Sequence, residues 1–188
     1  MATYGNCRHI YSVPIMFAFI NMEWPEKISI EVPVKKMQQK CWGDPSKGIR
    51  FSPLEVINDP AEYQKDYARI RNANLNYPII IDSKGHIVDG MHRVSRAFLD
   101  KIDVMDAYQF SDELMEKFII ADHNEWEKAH SMDVIDYVHI YVERFCGTSF
   151  DLESLPGQLK AQYDELMKKD EDNIHEIIEL CVNHLYSI

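Results

Sequence analysis

Positive charge is scarce in the second half of this 188-residue chain. Residues 111–188 hold 6 Lys and Arg against 18 Asp and Glu, a net of −12, whereas residues 1–110 hold 14 against 13, a net of +1. Such an acidic segment repels a phosphate backbone and leaves few cations to displace counterions, so DNA is not expected as its partner. Cysteine is scarce too. The four, Cys7, Cys41, Cys146 and Cys181, form no Cys-x-x-Cys pair, which excludes a zinc knuckle or a disulfide framework and suits a reducing cytoplasm. No apolar run is long enough to cross a bilayer. Residues 13–20 come nearest, with Pro14 near their start; they follow Arg8 as the core of a secretion signal would, but no small-residue cleavage site follows. A buried N-terminal element and no membrane partner are expected. No internal repeat or low-complexity tract is visible.

With 46% apolar and 27% charged residues, the composition is that of a globular protein. The charge break suggests two parts, an α+β domain over residues 1–110 and an acidic helical extension over 111–188. Residues 77–110 organise the first part. Pro78 suits the start of a strand, Ile79, Ile80 and Ile81 form a β-branched run, and residues 82–85 make a turn that ends on Gly85. Residues 86–88 read as the return strand. Asp89-Gly90 breaks it, Met91 opens a helix with Val94, Ala97, Phe98 and Ile102 on its apolar side, and a further strand follows. The expected core is a small mixed sheet with flanking helices.

Upstream, residues 11–22 read as a buried helix after Pro14 or a short strand, the helix being preferred, and residues 28–34 alternate as a half-buried strand in which Pro33 marks an edge or the strand end. Residues 41–50 carry Gly43, Pro45 and Gly48 and read as a loop. Ser52-Pro53 has the pattern of a helix N-cap and first turn, and a second helix with Tyr63, Tyr67 and Ile70 follows Asp59-Pro60. Beyond Phe110 the pattern is wholly helical: one helix from Ser111 to about Ala129, one from Asp133 to Cys146-Gly147, one with Leu159, Tyr163, Leu166 and Met167, and a last one with Ile174, Ile177, Ile178, Cys181, Val182 and Leu185.

The string Asp89-Gly-Met-His-Arg93 thus falls at a strand-to-helix junction. A first helical turn leaves main-chain N–H groups unpaired and carries partial positive charge, which suits a phosphate. Gly90 allows close approach, His92 and Arg93 add donors, and the planar fork of Arg93 can hold two phosphate oxygens. Asp89 is placed to act as the base for an attacking hydroxyl. The competing reading is an ordinary Asp-Gly turn followed by surface residues.

The stretch from Tyr77 through Asp89-Gly-Met-His-Arg-Val-Ser-Arg-Ala97 resembles the ParB/sulfiredoxin-like superfamily. Cys41-Trp-Gly-Asp44, Ser52-Pro-Leu-Glu-Val56 and Pro60-Ala-Glu-Tyr63 extend the likeness to about residues 28–110. The resemblance implies a nucleotide site on the Gly-x-x-Arg turn, with Gly90, Met91, His92 and Arg93 at the phosphates. Asp-Gly-x-His-Arg is most similar to the free serine kinase, in which the Asp is catalytic, and this implies Asp89 as catalytic residue. Met91 stands where sulfiredoxin has its reactive Cys, so sulfinic-acid reduction is not implied. Partition proteins have Gly-Glu-Arg-Arg at residues 90–93, and the helix-turn-helix they carry next does not fit the acidic tail.

The expected function is therefore a nucleotide-binding protein that transfers or hydrolyses a nucleotide phosphate, leaning to a small-molecule kinase. An ATP-type tri- or diphosphate and Mg²⁺ would be its cofactors, and a small molecule its acceptor. The alternative is a non-catalytic nucleotide-sensing or interaction module whose acidic helices meet a basic protein. Glu31 and Glu55 are candidates for a second carboxylate, with surface or capping roles as the plain alternative. Trp42 either fills the core or stacks on a base. His123, Glu127 and His130 have metal-ligand spacing on the expected 111–129 helix, against which stands a solvated face. His175 and His184 are expected at the surface.

Overall fold

The computed structural model describes residues 3–5, 8–39, 41–42, 48–168 and 173–187. In chain order the elements begin with β1 (Thr3–Gly5), β2 (His9–Ser12) and α1 (Val13–Glu23). Next come β3 (Ile28–Glu31), α2 (Val34–Gln39), α3 (Pro53–Asn58), α4 (Gln64–Asn72), β4 (Ile79–Ile81), β5 (Ile87–Asp89), α5 (Met91–Leu99) and β6 (Val104–Gln109). The chain closes with α6 (Asp112–Glu116), β7 (Ile119–Asp122), α7 (Trp126–His130), α8 (Val134–Tyr141), a π-helical turn (Val142–Cys146), a 3-10 turn (Leu152–Ser154), α9 (Gly157–Leu166) and α10 (Ile174–Leu185). The fold is α+β with two small sheets.

The chain separates into two compact units, Glu26–Asp112 on the one hand and Met1–Pro25 with Glu113–Ile188 on the other. This departs from the division at residue 110 read from the charge, because the first 25 residues belong with the acidic part. Their β1 and β2 form an antiparallel three-stranded sheet with β7, in the order β1-β2-β7.

In the Glu26–Asp112 unit the sheet order is β3-β6-β4-β5, with β4 parallel to β6 and the other pairs antiparallel. Ile79, Ile80 and Ile81 are all buried, as a strand in the middle of a covered sheet requires. The turn after β4 is held by Asp82, which accepts from the Lys84 and His86 main-chain N–H groups, and by Gly85 at φ 72°. Met91, Val94 and Ala97 of α5 bury against the sheet in one cluster with Met37, Ile79, Ile87 and Ala107 or beside it. Phe98 and Ile102 were expected on this stripe and are instead more than a third exposed, while Ser95 is buried and donates to the Met91 carbonyl at 2.9 Å. Ser52 caps α3 as expected, and Glu55 closes the reciprocal bond to the Ser52 N–H at 2.6 Å. Gly43 and Pro45 of the expected 41–50 loop lie outside the described residues.

In the other unit, Ser12 caps α1 by accepting from the Ile15 N–H at 3.2 Å, and α1 packs on α10. α10 also packs on α8 and α9. Of the six stripe positions, Ile174, Ile177, Ile178, Cys181 and Val182 are buried as their spacing predicts, and Leu185 is half-buried. The expected single helix over 111–129 is corrected: α6 and α7 are short and β7 lies between them, so the region beyond Phe110 is not wholly helical. Ile119, Ile120 and Ala121 find a partner strand in β2, and that pairing decides a short apolar run whose period is ambiguous by itself. His184 also corrects an expectation, being buried. Among the described residues, no helix is long and apolar enough to cross a membrane.

Candidate functional site

The site begins where β5 ends. Gly90 has φ 103°, a conformation open to glycine, and a Cβ there would lie 2.5 Å from Ile79 Cγ2 and 2.9 Å from Arg93 Nη2. Only glycine lets the chain turn into α5 while the helix stays against β4. Gly90 also leaves the helix without a side-chain cap. The first helical bond runs from the Val94 N–H to the Gly90 carbonyl at 3.0 Å, so helical geometry gives the N–H groups of Met91, His92 and Arg93 no carbonyl one turn back. This end of α5 has partial positive charge and free donors.

Asp89 and Arg93 face each other across that turn, with Arg93 Nη2 donating to Asp89 Oδ2 at 2.5 Å. The Arg93 side chain is 15% exposed and that of Asp89 30%. Arg93 Nε is buried and has no hydrogen-bond partner. A buried donor left unmade typically costs about 1–3 kcal/mol, a penalty that an oxyanion brought into the site would relieve. Arg96, one turn on, has other duties: it pairs with Asp100 and donates to the Arg71 carbonyl, which ties α5 to α4.

His92 lies against the Trp42 ring, centroids 4.7 Å apart and planes inclined by 27°. Burial, and after it the nearby Arg69 guanidinium, hold the His92 imidazole below its ordinary pKa of 6.5. At neutral pH it therefore offers a hydrogen bond and not a positive charge. Trp42 is held in turn by a two-way main-chain bridge with Phe51, the N–H of Trp42 donating at 2.7 Å and that of Phe51 at 3.1 Å. It is partly buried against the core cluster, which meets the core-filling expectation, and it also lines the cavity.

That cavity has about 360 Å³, within the usual range for small-molecule sites. Residues 87–93 line it together with Trp42, Ala73, Asn74 and Tyr77. Tyr77 is mostly exposed and offers a ring at the mouth. Met91 contributes through its main chain, since its side chain is buried in the core. Glu31 and Glu55 are not among the lining residues; Glu55 is engaged with Ser52, whose hydroxyl and N–H hold its carboxyl below the ordinary value, and Glu31 lines a different groove with Val34 and Phe98. Asp89 is thus the one carboxylate brought to the cavity among the described residues.

Asn74 and Tyr77 were missed by sequence reasoning. Tyr77 stood beside Pro78 in the central stretch, but nothing distinguished its ring as a wall, and Asn74 lies in a connecting loop without a motif. Among the described residues no group of three or more His, Cys, Asp or Glu could hold a metal ion. The His123, Glu127 and His130 spacing is broken by the turn between β7 and α7, and His123 and His130 instead pack around the Trp126 ring. Comparison with models of protein families, with curated proteins and with solved structures gives no match.

Proposed function

We propose that the Glu26–Asp112 unit binds a nucleotide by its phosphates at the Asp89-Gly-Met-His-Arg93 turn and transfers or hydrolyses a phosphoryl group there. The observation that carries this reading is the meeting, in one cavity, of the uncapped α5 N-terminus, the unpartnered buried Nε of Arg93 and the carboxylate of Asp89. The β3-β6-β4-β5 sheet and its Asp-Gly-x-His-Arg turn belong to the same proposal, as a ParB/sulfiredoxin-like domain with an ATP-type ligand.

In this reading phosphate oxygens accept from the free N–H groups of residues 91–93, and the guanidinium of Arg93 turns from Asp89 to the phosphate. The carboxylate is then released to take the proton of an acceptor hydroxyl or of water. The acceptor oxygen bonds to the terminal phosphorus as the bond to the nucleotide oxygen breaks, and the shortened nucleotide leaves with the electron pair. Trp42 and Tyr77 offer faces on which a base can stack. Mg²⁺ would enter with the nucleotide, held by the phosphate oxygens, and would neutralise phosphate charge there, which leaves Asp89 to take the proton.

A second reading is favoured by one specific contact. The 2.5 Å bond from Arg93 already occupies Oδ2 of Asp89, and if it persists with ligand bound, the turn holds a nucleotide without turnover and the protein senses it. The acidic unit would then meet a basic protein partner.

A thermal-shift screen of ATP and CTP with and without Mg²⁺, followed by a turnover assay, separates these readings. A ligand at a hundred times its dissociation constant adds about 2.7 kcal/mol of stability. Stabilisation with release of phosphate supports transfer or hydrolysis, and stabilisation without turnover supports sensing. No stabilisation by any nucleotide removes both.

A further inference from the structure

A cavity of about 300 Å³ lies within the Met1–Pro25 and Glu113–Ile188 unit. Three helical segments reach it by their C-terminal ends: α1 with Glu23 and Trp24, the π-helical turn with Phe145 and Cys146, and α10 with Tyr186 just past its last turn. Helix C-termini carry partial negative charge. Two carboxylates, Glu23 and Glu179, add full charges, and no Lys, Arg or His is among the lining residues. Asn21 Nδ2 donates to Glu179 Oε1 at 2.8 Å and orients that carboxylate. The cations nearby are engaged elsewhere: Lys117 Nζ sits over the Phe145 ring at 5.1 Å, and Arg144 donates to the Lys117 and Ile119 carbonyls.

Independently of these charges, the Tyr141 side chain points to a ligand. It is 1% exposed, it lines this cavity, and its hydroxyl has no hydrogen-bond partner. Burial, and after it the charge of Glu23, push the hydroxyl above the ordinary tyrosine range, so it stays protonated and neutral. A buried hydroxyl oxygen of this kind accepts an N–H. The π-helical turn, a rare form common at functional sites, brings Phe145 and Cys146 to the same wall.

We propose that this cavity binds a small primary alkylammonium ion, whose N–H groups donate to the Tyr141 hydroxyl oxygen and the carboxylates of Glu23 and Glu179. Its methylenes lie against the rings of Trp24, Phe145 and Tyr186, where the charge also gains from the ring faces. A metal ion fits less well, since among the described residues no group of three or more ligating side chains occurs. A quaternary ammonium has no N–H for the unpartnered oxygen.

Calorimetric titration of the full chain with putrescine, at fixed ionic strength, tests this. Saturable one-to-one binding is expected. Replacing both Glu23→Gln and Glu179→Gln removes charge-assisted hydrogen bonds and should weaken it at least about tenfold. Tyr141→Phe keeps the ring packing and deletes an unpaired hydroxyl, so it should fold like the parent and bind several-fold more weakly. Tetramethylammonium, equal in charge but without N–H, should bind at least about tenfold more weakly than putrescine. The proposal is overturned by any of three results: no saturable heat with putrescine, putrescine binding unchanged in both the double carboxylate variant and Tyr141→Phe, or tetramethylammonium binding as tightly as putrescine.

Discussion

In the Glu26–Asp112 unit a helix points its N-terminus at a cavity; in the unit of Met1–Pro25 and Glu113–Ile188 three helical segments bring their C-terminal ends to one. The first unit holds 13 basic and 13 acidic residues, so its net charge predicts nothing about a ligand, whereas the second holds 7 against 18 and is strongly acidic. The contrast teaches that main-chain polarity and a few placed side chains set the character of a site. In the neutral unit, free N–H groups and Arg93 favour an anion although the surroundings are balanced. In the acidic unit, helix ends and paired carboxylates favour a cation, in line with the overall charge.

The sharpest way to test the anion-seeking side of the contrast is Asp89→Asn. It keeps size and polarity but cannot accept a proton, so any phosphoryl turnover should fall by roughly 10²–10⁴-fold while nucleotide binding persists. Unchanged turnover in a phosphate-release assay removes Asp89 as base.

Gly90→Ala acts on the turn that creates the free N–H groups. The new Cβ would overlap Ile79 and sit at φ 103°, so a loss of about 3 kcal/mol in urea unfolding is expected from strain and overpacking together. A loss below about 0.5 kcal/mol, within the range of a neutral surface change, would show that the strand-to-helix turn is not held as described.

A smaller effect concerns His92. Its folded-state pKa is below 6.5, chiefly through burial and then through Arg69, so the unfolded chain takes up more protons as the pH falls through 6.5. Stability is thus retained above 6.5 and lost as the pH drops from there toward the lowered folded-state value. Unfolding free energies measured across this range should show a shallower acid slope in His92→Gln than in the parent. Identical slopes would contradict the neutral, Trp42-stacked imidazole.

Much of the Glu26–Asp112 unit was legible because its signals are local. Pro78 before three Ile residues, Gly85 in the turn and Ser52-Pro53 with Glu55 each act on their immediate neighbours and lie where the spacing predicts, while the return strand runs one residue later than expected, Ile87–Asp89, and is ended by Gly90. The Asp89-Gly-Met-His-Arg93 turn was legible for the same reason. Its walls were not, because Trp42, Asn74 and Tyr77 reach the cavity from separate loops. β7 was hidden because Ile119, Ile120 and Ala121 become a strand only through pairing with residues more than a hundred positions earlier. The acidic cavity has no sequence signature at all, since segments around residues 23, 145 and 183 meet only after the helices pack.

The proposed phosphate site is tested most directly by titrating the parent and Arg93→Ala with Mg²⁺–ATP in a calorimeter. Each charge-assisted hydrogen bond from the guanidinium is worth roughly 1.5–3 kcal/mol, so the parent should bind saturably and the variant about tenfold to a hundredfold more weakly. Equal affinity in the two proteins, or no binding by the parent, would contradict the assignment and leave Asp89-Gly-Met-His-Arg93 as a structural turn.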